Sequence, residues 1–220
     1  MMEKVLGIVV PYRDRESHLV RFLPHMQQFL KEIKHKIVIV EQHDDKPFNR
    51  AKLMNIGYDH LKNECDYFCF HDVDLLPIED ANYDYVESPT HLARLLDYLG
   101  WRVHYEELFG GVTMFNKDDF EKVNGFSNEY WGWGGEDDDL RLRCVKEGLE
   151  VNKRMNKYKS LPHRPAGPHH DNYENNRNKM RDFRDTPGNN YHKEEGLNTL
   201  VYETVGVENK VDHTLLKVTL

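Results

Sequence analysis

Two carboxylates one residue apart, Asp72-Val73-Asp74, close a short apolar run. In extended chain, residues two apart point to the same side, so both can face one ligand. A divalent cation bridging to a diphosphate is the chemistry that such a pair serves at a strand end. An exposed acidic turn has the same composition, so the pair gains meaning only from its position. The segment Tyr130-Trp131-Gly132-Trp133-Gly134-Gly135-Glu136-Asp137-Asp138-Asp139 is denser. Its glycines let backbone run close to a ligand, and its tryptophans offer flat apolar faces suited to the C–H faces of sugar rings. Its acids then open a helix, where the dipole favours negative charge. An acidic helix cap explains Asp138 and Asp139, but not tryptophan alternating with glycine just before a carboxylate. His163, His169 and His170 lie in a polar stretch beside Asp171. Imidazole and carboxylate together suit Mn²⁺, Zn²⁺ or Fe²⁺ better than Ca²⁺. Arg13-Asp14-Arg15 and Phe48-Asn49-Arg50 add guanidinium groups and a stacking ring that can meet a phosphate or a base edge.

The elements that must position these groups follow from periodicity. Val5–Val10 reads as a buried strand, Ser17–Glu32 as an amphipathic helix with Ser17 as N-cap, and Lys36–Glu41 as a second strand. Asn49–Lys62 reads as a second helix and Tyr67–Phe70 as a third strand, running into Asp72. The order βαβαβ implies an α/β fold with a parallel sheet covered by helices. Its carboxyl edge, where open sheets put their ligands, then carries Arg13, Phe48 and Asp72. Further on, His91–Leu99 has helical spacing, Gly110–Asn116 reads as a strand, Asp118–Val123 as a short helix and Asp137–Glu147 as a strong helix stopped at Gly148. From about 152 to 195 the chain is polar without a strong period, which predicts a functional loop, partly mobile without ligand. Residues 1–220 thus read as one domain, with a βαβαβ half at 1–80 and a less regular half at 81–220 that holds the polar stretch.

Composition limits the alternatives. The 220 residues carry 38 acids against 30 Lys and Arg, a net charge of −8, which argues against binding a nucleic-acid backbone. No apolar run reaches the ~20 residues that span a bilayer, and the first ten residues lack a cleavage signal. The chain is therefore expected to be cytoplasmic, with no integral membrane segment. Cys65, Cys69 and Cys144 show no metal or disulfide spacing and read as small buried hydrophobes. Cys65 and Cys69, four apart on an apparent strand, are expected to share a face.

Taken together, Pro11-Tyr12-Arg13-Asp14-Arg15, Phe48-Asn49-Arg50-Ala51-Lys52-Leu53, Asp72-Val73-Asp74, Phe109-Gly110-Gly111-Val112, the Trp131–Asp138 run and Gly196-Leu197-Asn198-Thr199-Leu200 resemble, in this order, the β-1,4-galactosyltransferase family. The resemblance runs from about Val5 to Val207. It implies a glycosyltransferase-A fold, with a mainly parallel twisted central sheet flanked by helices, a UDP-sugar donor, Mn²⁺ and inversion at the anomeric carbon. Carried over residue by residue, it gives Asp74 as the metal ligand of the D-x-D. Pro11, Tyr12, Arg13, Arg15, Phe48 and Arg50 fall on the uracil and ribose side of the donor, and Asp72, Val73, Leu108 and Gly111 also line the donor site. Trp133 closes over donor and acceptor, Glu136 meets the sugars with Asp137, Asp137 is the general base, and Gly134 and Asp138 lie on the acceptor side.

The chain departs from the family in three ways. The secreted animal members carry an anchor and disulfides. Here Val86 stands about where a cysteine is expected and no anchor is seen, which points to a cytoplasmic enzyme or a trimmed form. The later metal ligand is left between His163, His169 and His170, because counting from the two flanking motifs gives different residues. Leu108 stands where galactose-specific members carry Tyr, which opens UDP-GalNAc beside UDP-Gal as donor. The expected function is transfer of galactose or N-acetylgalactosamine to a hydroxyl of a carbohydrate or glycoconjugate acceptor. A catalytically silent carbohydrate-binding domain and a metal-dependent nucleotidyltransferase are the alternatives.

Overall fold

The structure, a computed structural model, describes residues 3–79, 81–162 and 172–220. The strands among these residues are, in chain order, β1 (Leu6–Tyr12), β2 (His35–Gln42), β3 (Tyr67–His71), β4 (Leu75–Pro77), β5 (Thr90–His91), β6 (Leu95–Leu96), β7 (Val112–Asn116), β8 (Asn152–Lys153), β9 (Lys157–Ser160), β10 (Glu203–Asn209) and β11 (Thr214–Thr219). The α-helices among the described residues are α1 (Glu16–Phe29), α2 (Arg50–Leu61), α3 (Lys117–Lys122), α4 (Glu136–Lys146) and α5 (Tyr173–Asp185). The main sheet has the order β10-β11-β2-β1-β3-β7-β5-β8. β11, β2, β1 and β3 run parallel, whereas β10 and β7 pair antiparallel to their neighbours. A small sheet, β4-β9-β6, stands beside it.

β1 is buried from Leu6 to Pro11, as a central parallel strand covered on both faces must be. On one face Ile8 and Val10 pack with Phe22 and Met26 of α1. On the other, Val9, Val38 and Val40 pack with Leu53 and Ile56 of α2 and with a run of edge-to-face rings through Phe70, Phe115, Phe120 and Phe126. Asn49 caps α2, its side chain accepting from the Lys52 amide at 2.9 Å. Among the described residues no helix is long and apolar enough to cross a membrane.

Four expectations are corrected and one element is new. Ser17 lies inside α1; Arg15 is the N-cap residue and makes no side-chain cap, the helix starting on its carbonyl instead. His91–Leu99 is not a helix: Leu92, Leu95, Leu96 and Leu99 have helical spacing, but His91 belongs to β5 of the main sheet and Leu95–Leu96 to β6 of the small one, with a single 3₁₀ turn at Asp97–Leu99. Cys65 and Cys69 are both buried but belong to the cores on opposite faces, because Cys65 sits in the turn after α2, ahead of β3, and the strand period does not reach it. The polar stretch 152–195 contains β8, β9 and α5. The buried face of α5 is Asn176, Met180 and Phe183, and an asparagine in that stripe conceals the helical period. Finally, the β10–β11 hairpin extends the sheet beyond β2, through a parallel pairing with a strand nearly 180 residues earlier that no local pattern announces.

Candidate functional site

At the carboxyl edge of β3 a cavity of about 790 Å³ is lined by Asp72, Asp74, Leu108, Gly110, Gly111, Trp133, Gly134, Glu136, Asp137 and Asp138, with Asp97, Tyr105 and Arg177 among others. The D-x-D, the Phe-Gly-Gly turn and the Trp-Gly-acid segment thus meet in one place. Asp72 and Asp74 share this cavity, but through a turn rather than an extended strand: β3 ends at His71, and the Leu75 amide donates back to the Asp72 carbonyl at 3.3 Å. Val73 turns into the apolar core, so only its backbone is available to a donor.

Arg50, at the start of α2, joins the acids. Its Nε donates to Asp72 Oδ1 at 2.7 Å, one terminal nitrogen donates to Asp137 Oδ1 at 2.9 Å, and Glu136 lies 3.8 Å from the same nitrogen. Burial acts against the Arg50 charge, but Asp137, Asp72 and Glu136 outweigh it and hold the guanidinium firmly protonated. Asp137 shows the opposite balance. Burial lifts its carboxyl well above the ordinary aspartate range, the Arg50 charge pulls it down, and Glu136, Asp72 and Asp138 add to the rise. Glu136 is raised for the same first reason, burial, again opposed by Arg50. A carboxylate with raised proton affinity at a cavity wall is what a general base needs.

α4 starts after Gly135, which has φ +94°, and a Cβ there would stand 2.8 Å from Tyr130. Only glycine combines that left-handed conformation with that approach. Trp133 is 38% exposed and stacks on Tyr173 of α5 at 5.4 Å between ring centroids. The Asn176 amide donates to the carbonyls of Trp131 and Trp133 at 3.0 and 3.2 Å. Tyr173, Asn176 and Arg177 escape the sequence reading because their helix does. Asp139 differs from its acidic neighbours in being structural. It is fully buried, takes Arg143 Nε at 2.6 Å and the Tyr130 hydroxyl at 2.9 Å, and Arg143 continues to Glu195. Asp139→Ala strands the buried Arg143 charge and is expected to destabilise the fold by about 3–5 kcal/mol, read from the shift in urea midpoint at constant m-value.

The remaining predicted residues form a flank rather than part of the cavity lining. Pro11 and Tyr12 end β1, and Arg15 is the N-cap residue of α1. Arg13 donates to the Lys46 carbonyl at 2.8 Å and lies over the Phe48 ring at 5.3 Å. The Phe48 carbonyl accepts from the Gly132 amide at 2.8 Å, so this flank is tied directly to the tryptophan segment.

His163, His169 and His170 lie outside the described residues. Among the described residues no cluster of three His, Cys, Asp or Glu forms a cation cage. Asp74 supplies one hard oxygen at the cavity, while Asp72 is engaged by Arg50. The Leu161 amide donates to the Asp74 carbonyl at 2.7 Å, so β9 ends against the D-x-D two residues before His163 in the sequence. A carboxylate here, with imidazole from the segment that follows, fits Mn²⁺ chemically.

A family model described as the N-terminal region of glycosyl transferase group 7 matches residues 1–87, and one described as the N-terminal domain of galactosyltransferase matches residues 90–164. Human β-1,4-galactosyltransferase 4 is 47% identical over 155 residues, which are 68% of this chain and 45% of that protein. β-1,4-Galactosyltransferase 2 of Cricetulus griseus is 38% identical over 169 residues, 73% of this chain and 46% of that protein. This chain therefore spans about half the length of such relatives. The crystal structure of the catalytic domain of Drosophila β-1,4-galactosyltransferase 7 in complex with xylobiose superposes with a TM-score of 0.81 at 30% identity, covering 99% of this chain and 94% of that one. A variant of the same Drosophila enzyme, crystallised with manganese, UDP-Gal and xylobiose, matches with the same TM-score at 29% identity.

Proposed function

The chain belongs to the β-1,4-galactosyltransferase family, and from that premise we propose that it transfers galactose or N-acetylgalactosamine from a UDP-sugar to a hydroxyl of a sugar acceptor, with inversion to a β-linkage. The observation that carries this reading is Asp137, a half-buried carboxylate of raised proton affinity on the wall of a cavity that Trp133 also lines. In an inverting displacement one base takes the acceptor hydroxyl's proton as that oxygen attacks the anomeric carbon. Asp137 fills this role with Oδ1 held by Arg50. Trp133 offers the apolar face for a sugar ring and excludes water that would otherwise hydrolyse the donor. The flank of Tyr12, Arg13, Phe48 and Arg15 takes the nucleoside. Mn²⁺ belongs with this reading: held by Asp74 and by an imidazole among His163, His169 and His170, it would offset charge on the departing diphosphate. The manganese and UDP-Gal complex of the Drosophila relative supports both donor class and metal.

The test is a screen of UDP-Gal and UDP-GalNAc against xylobiose and a panel of β-glycosides, measuring UDP release with Mn²⁺. Release of UDP with each acceptor consumed supports the transferase. Sugar binding without turnover would identify a silent binding domain, and pyrophosphate as product a nucleotidyltransferase.

Donor choice is a finer part of the proposal. Leu108 lines the cavity beside Gly110 and Gly111. A Tyr there would crowd the substituent on C2 of the donor sugar, whereas Leu is smaller and leaves no hydroxyl to satisfy. UDP-GalNAc is expected to be used at least comparably to UDP-Gal. Leu108→Tyr is expected to shift the preference towards Gal by about 1–3 kcal/mol, the scale of a change in pocket size. Competition between the two donors at equal concentration reads this directly; galactose-only transfer by both proteins would refute it.

A further inference from the structure

Asp137 is held on two sides, and Arg50 accounts for only one of them. The other is Gly110. A Cβ built on Gly110 would stand 2.2 Å from Asp137 Oδ2 and 2.9 Å from its Cγ, so the carboxylate rests directly on the glycine backbone. Any side chain at 110 would displace the Asp137 carboxylate, whose Oδ1 is tethered by Arg50. The position of the Gly110 peptide therefore sets the position of Oδ2.

That peptide is itself held by a fully buried histidine. His91 Nε2 lies 2.8 Å from the Gly110 carbonyl, which also accepts from the Val112 amide at 2.9 Å. A carbonyl only accepts, so Nε2 carries the proton and Nδ1 is left with its lone pair, and Nδ1 has no partner. Burial, ahead of Arg94 and Lys153, pushes the His91 pKa down to about 4, so the ring stays neutral in that tautomer. The ring is fixed from behind by the edge of Phe109 and by the backbone of β5, where His91 faces Thr113 across the ladder and its own carbonyl takes the Arg154 amide at 2.9 Å. On the far side of the same turn the Gly111 carbonyl accepts from the Asp72 amide at 2.9 Å. A buried polar ring that spends its single donor on this carbonyl and leaves its other nitrogen unpaired is costly as mere core filling.

We propose that His91 is a positioning residue for the transfer reaction: its Nε2–H fixes the Gly110 peptide, and Gly110 in turn seats the Asp137 carboxylate against the acceptor hydroxyl. This rests on the transferase reading above. His91 touches neither substrate nor the reacting atoms, so its loss misplaces the base without removing a donor contact.

The experiment compares kcat and KM of wild type, His91→Leu and His91→Gln, using UDP-Gal or UDP-GalNAc, the acceptor identified in the screen, and Mn²⁺. His91→Leu removes the donor, whereas glutamine puts an amide N–H near the place of Nε2. His91→Leu is expected to lower kcat by roughly 10–100-fold, the cost of displacing a catalytic group by about an ångström, with the KM for the donor unchanged. His91→Gln recovers most of that loss. If His91→Leu does not fold, His91→Asn replaces it, its amide being too short to reach the carbonyl. Gly110→Ala, which leaves His91 intact, is expected to show the same loss in kcat at constant donor KM. Wild-type kcat in the Leu or Asn variant, or a glutamine variant no better than leucine, overturns the inference while leaving the transferase intact. A wild-type protein inactive with every donor and acceptor overturns the transferase reading instead, and this inference with it.

Discussion

Asp137→Asn is expected to lower turnover by about 10²–10⁴ while UDP-sugar binding persists, because it removes the group proposed to take the acceptor's proton and little else. The amide oxygen can still accept from Arg50, now at 2.9 Å from Oδ1, so the link between α2 and α4 is retained. The pH dependence should change with it. Burial and the neighbouring acids raise the proton affinity of Asp137 above the ordinary aspartate range. A base is inactive when protonated, so kcat/KM of the wild type should fall as pH drops through that raised value, at a higher pH than an unperturbed aspartate would give. The asparagine variant should lose this acidic limb. Steady-state kinetics across pH, with donor affinity by calorimetry, measure both. Near-wild-type turnover in the purified variant would remove Asp137 as the base.

Asp74→Ala is expected to abolish Mn²⁺-dependent binding of UDP. Asp74 is a D-x-D carboxylate on the cavity wall, and Asp72 is bridged to Arg50 at 2.7 Å. The two positions should therefore behave differently: losing Asp74 removes a hard oxygen for the cation, while losing Asp72 removes a countercharge for Arg50. Among the histidines, His163→Ala or His170→Ala should reproduce the Asp74 phenotype, with His169→Ala the remaining option. Titration of Mn²⁺ and UDP into each variant reads this. Full-strength binding by Asp74→Ala would exclude it as a ligand, and undiminished binding in all three histidine variants would move the imidazole elsewhere.

Much of the site was legible before folding because its parts are local. The apolar face of Asn49–Lys62 announces α2, which forms as Arg50–Leu61 with Asn49 as its cap. The run Ile37-Val38-Ile39-Val40 needs no partner to be read as a buried strand, and it becomes the neighbour of β1. Glu136 and Asp137 could be placed on a helix start because the glycines before them and the acids within the first turn are adjacent in sequence. The helix from Tyr173 to Asp185 was not legible, since its inward face carries Asn176, whose worth lies in two carbonyls of a segment more than forty residues earlier. The stretch from His91 to Leu99 misled for a related reason. Its leucines have the spacing of a helix, but the partners that decide the matter are β7 and β9.

The sequence alone determined which chemistry this chain could perform. Side-chain type and short-range spacing select the D-x-D, the tryptophan–glycine–acid segment and the alternating strands and helices that carry them, and these depend only on neighbours a few residues apart. What the tertiary structure decided was which carboxylate does what. Asp72 pairs with Arg50, Asp137 rests on Gly110, and Asp139 is taken into the core by Arg143. In the sequence Asp137 and Asp139 are near-equivalent members of one acidic run. Their roles differ because proton affinity and packing depend on burial and on the charges within a few ångströms, and only the folded chain supplies those.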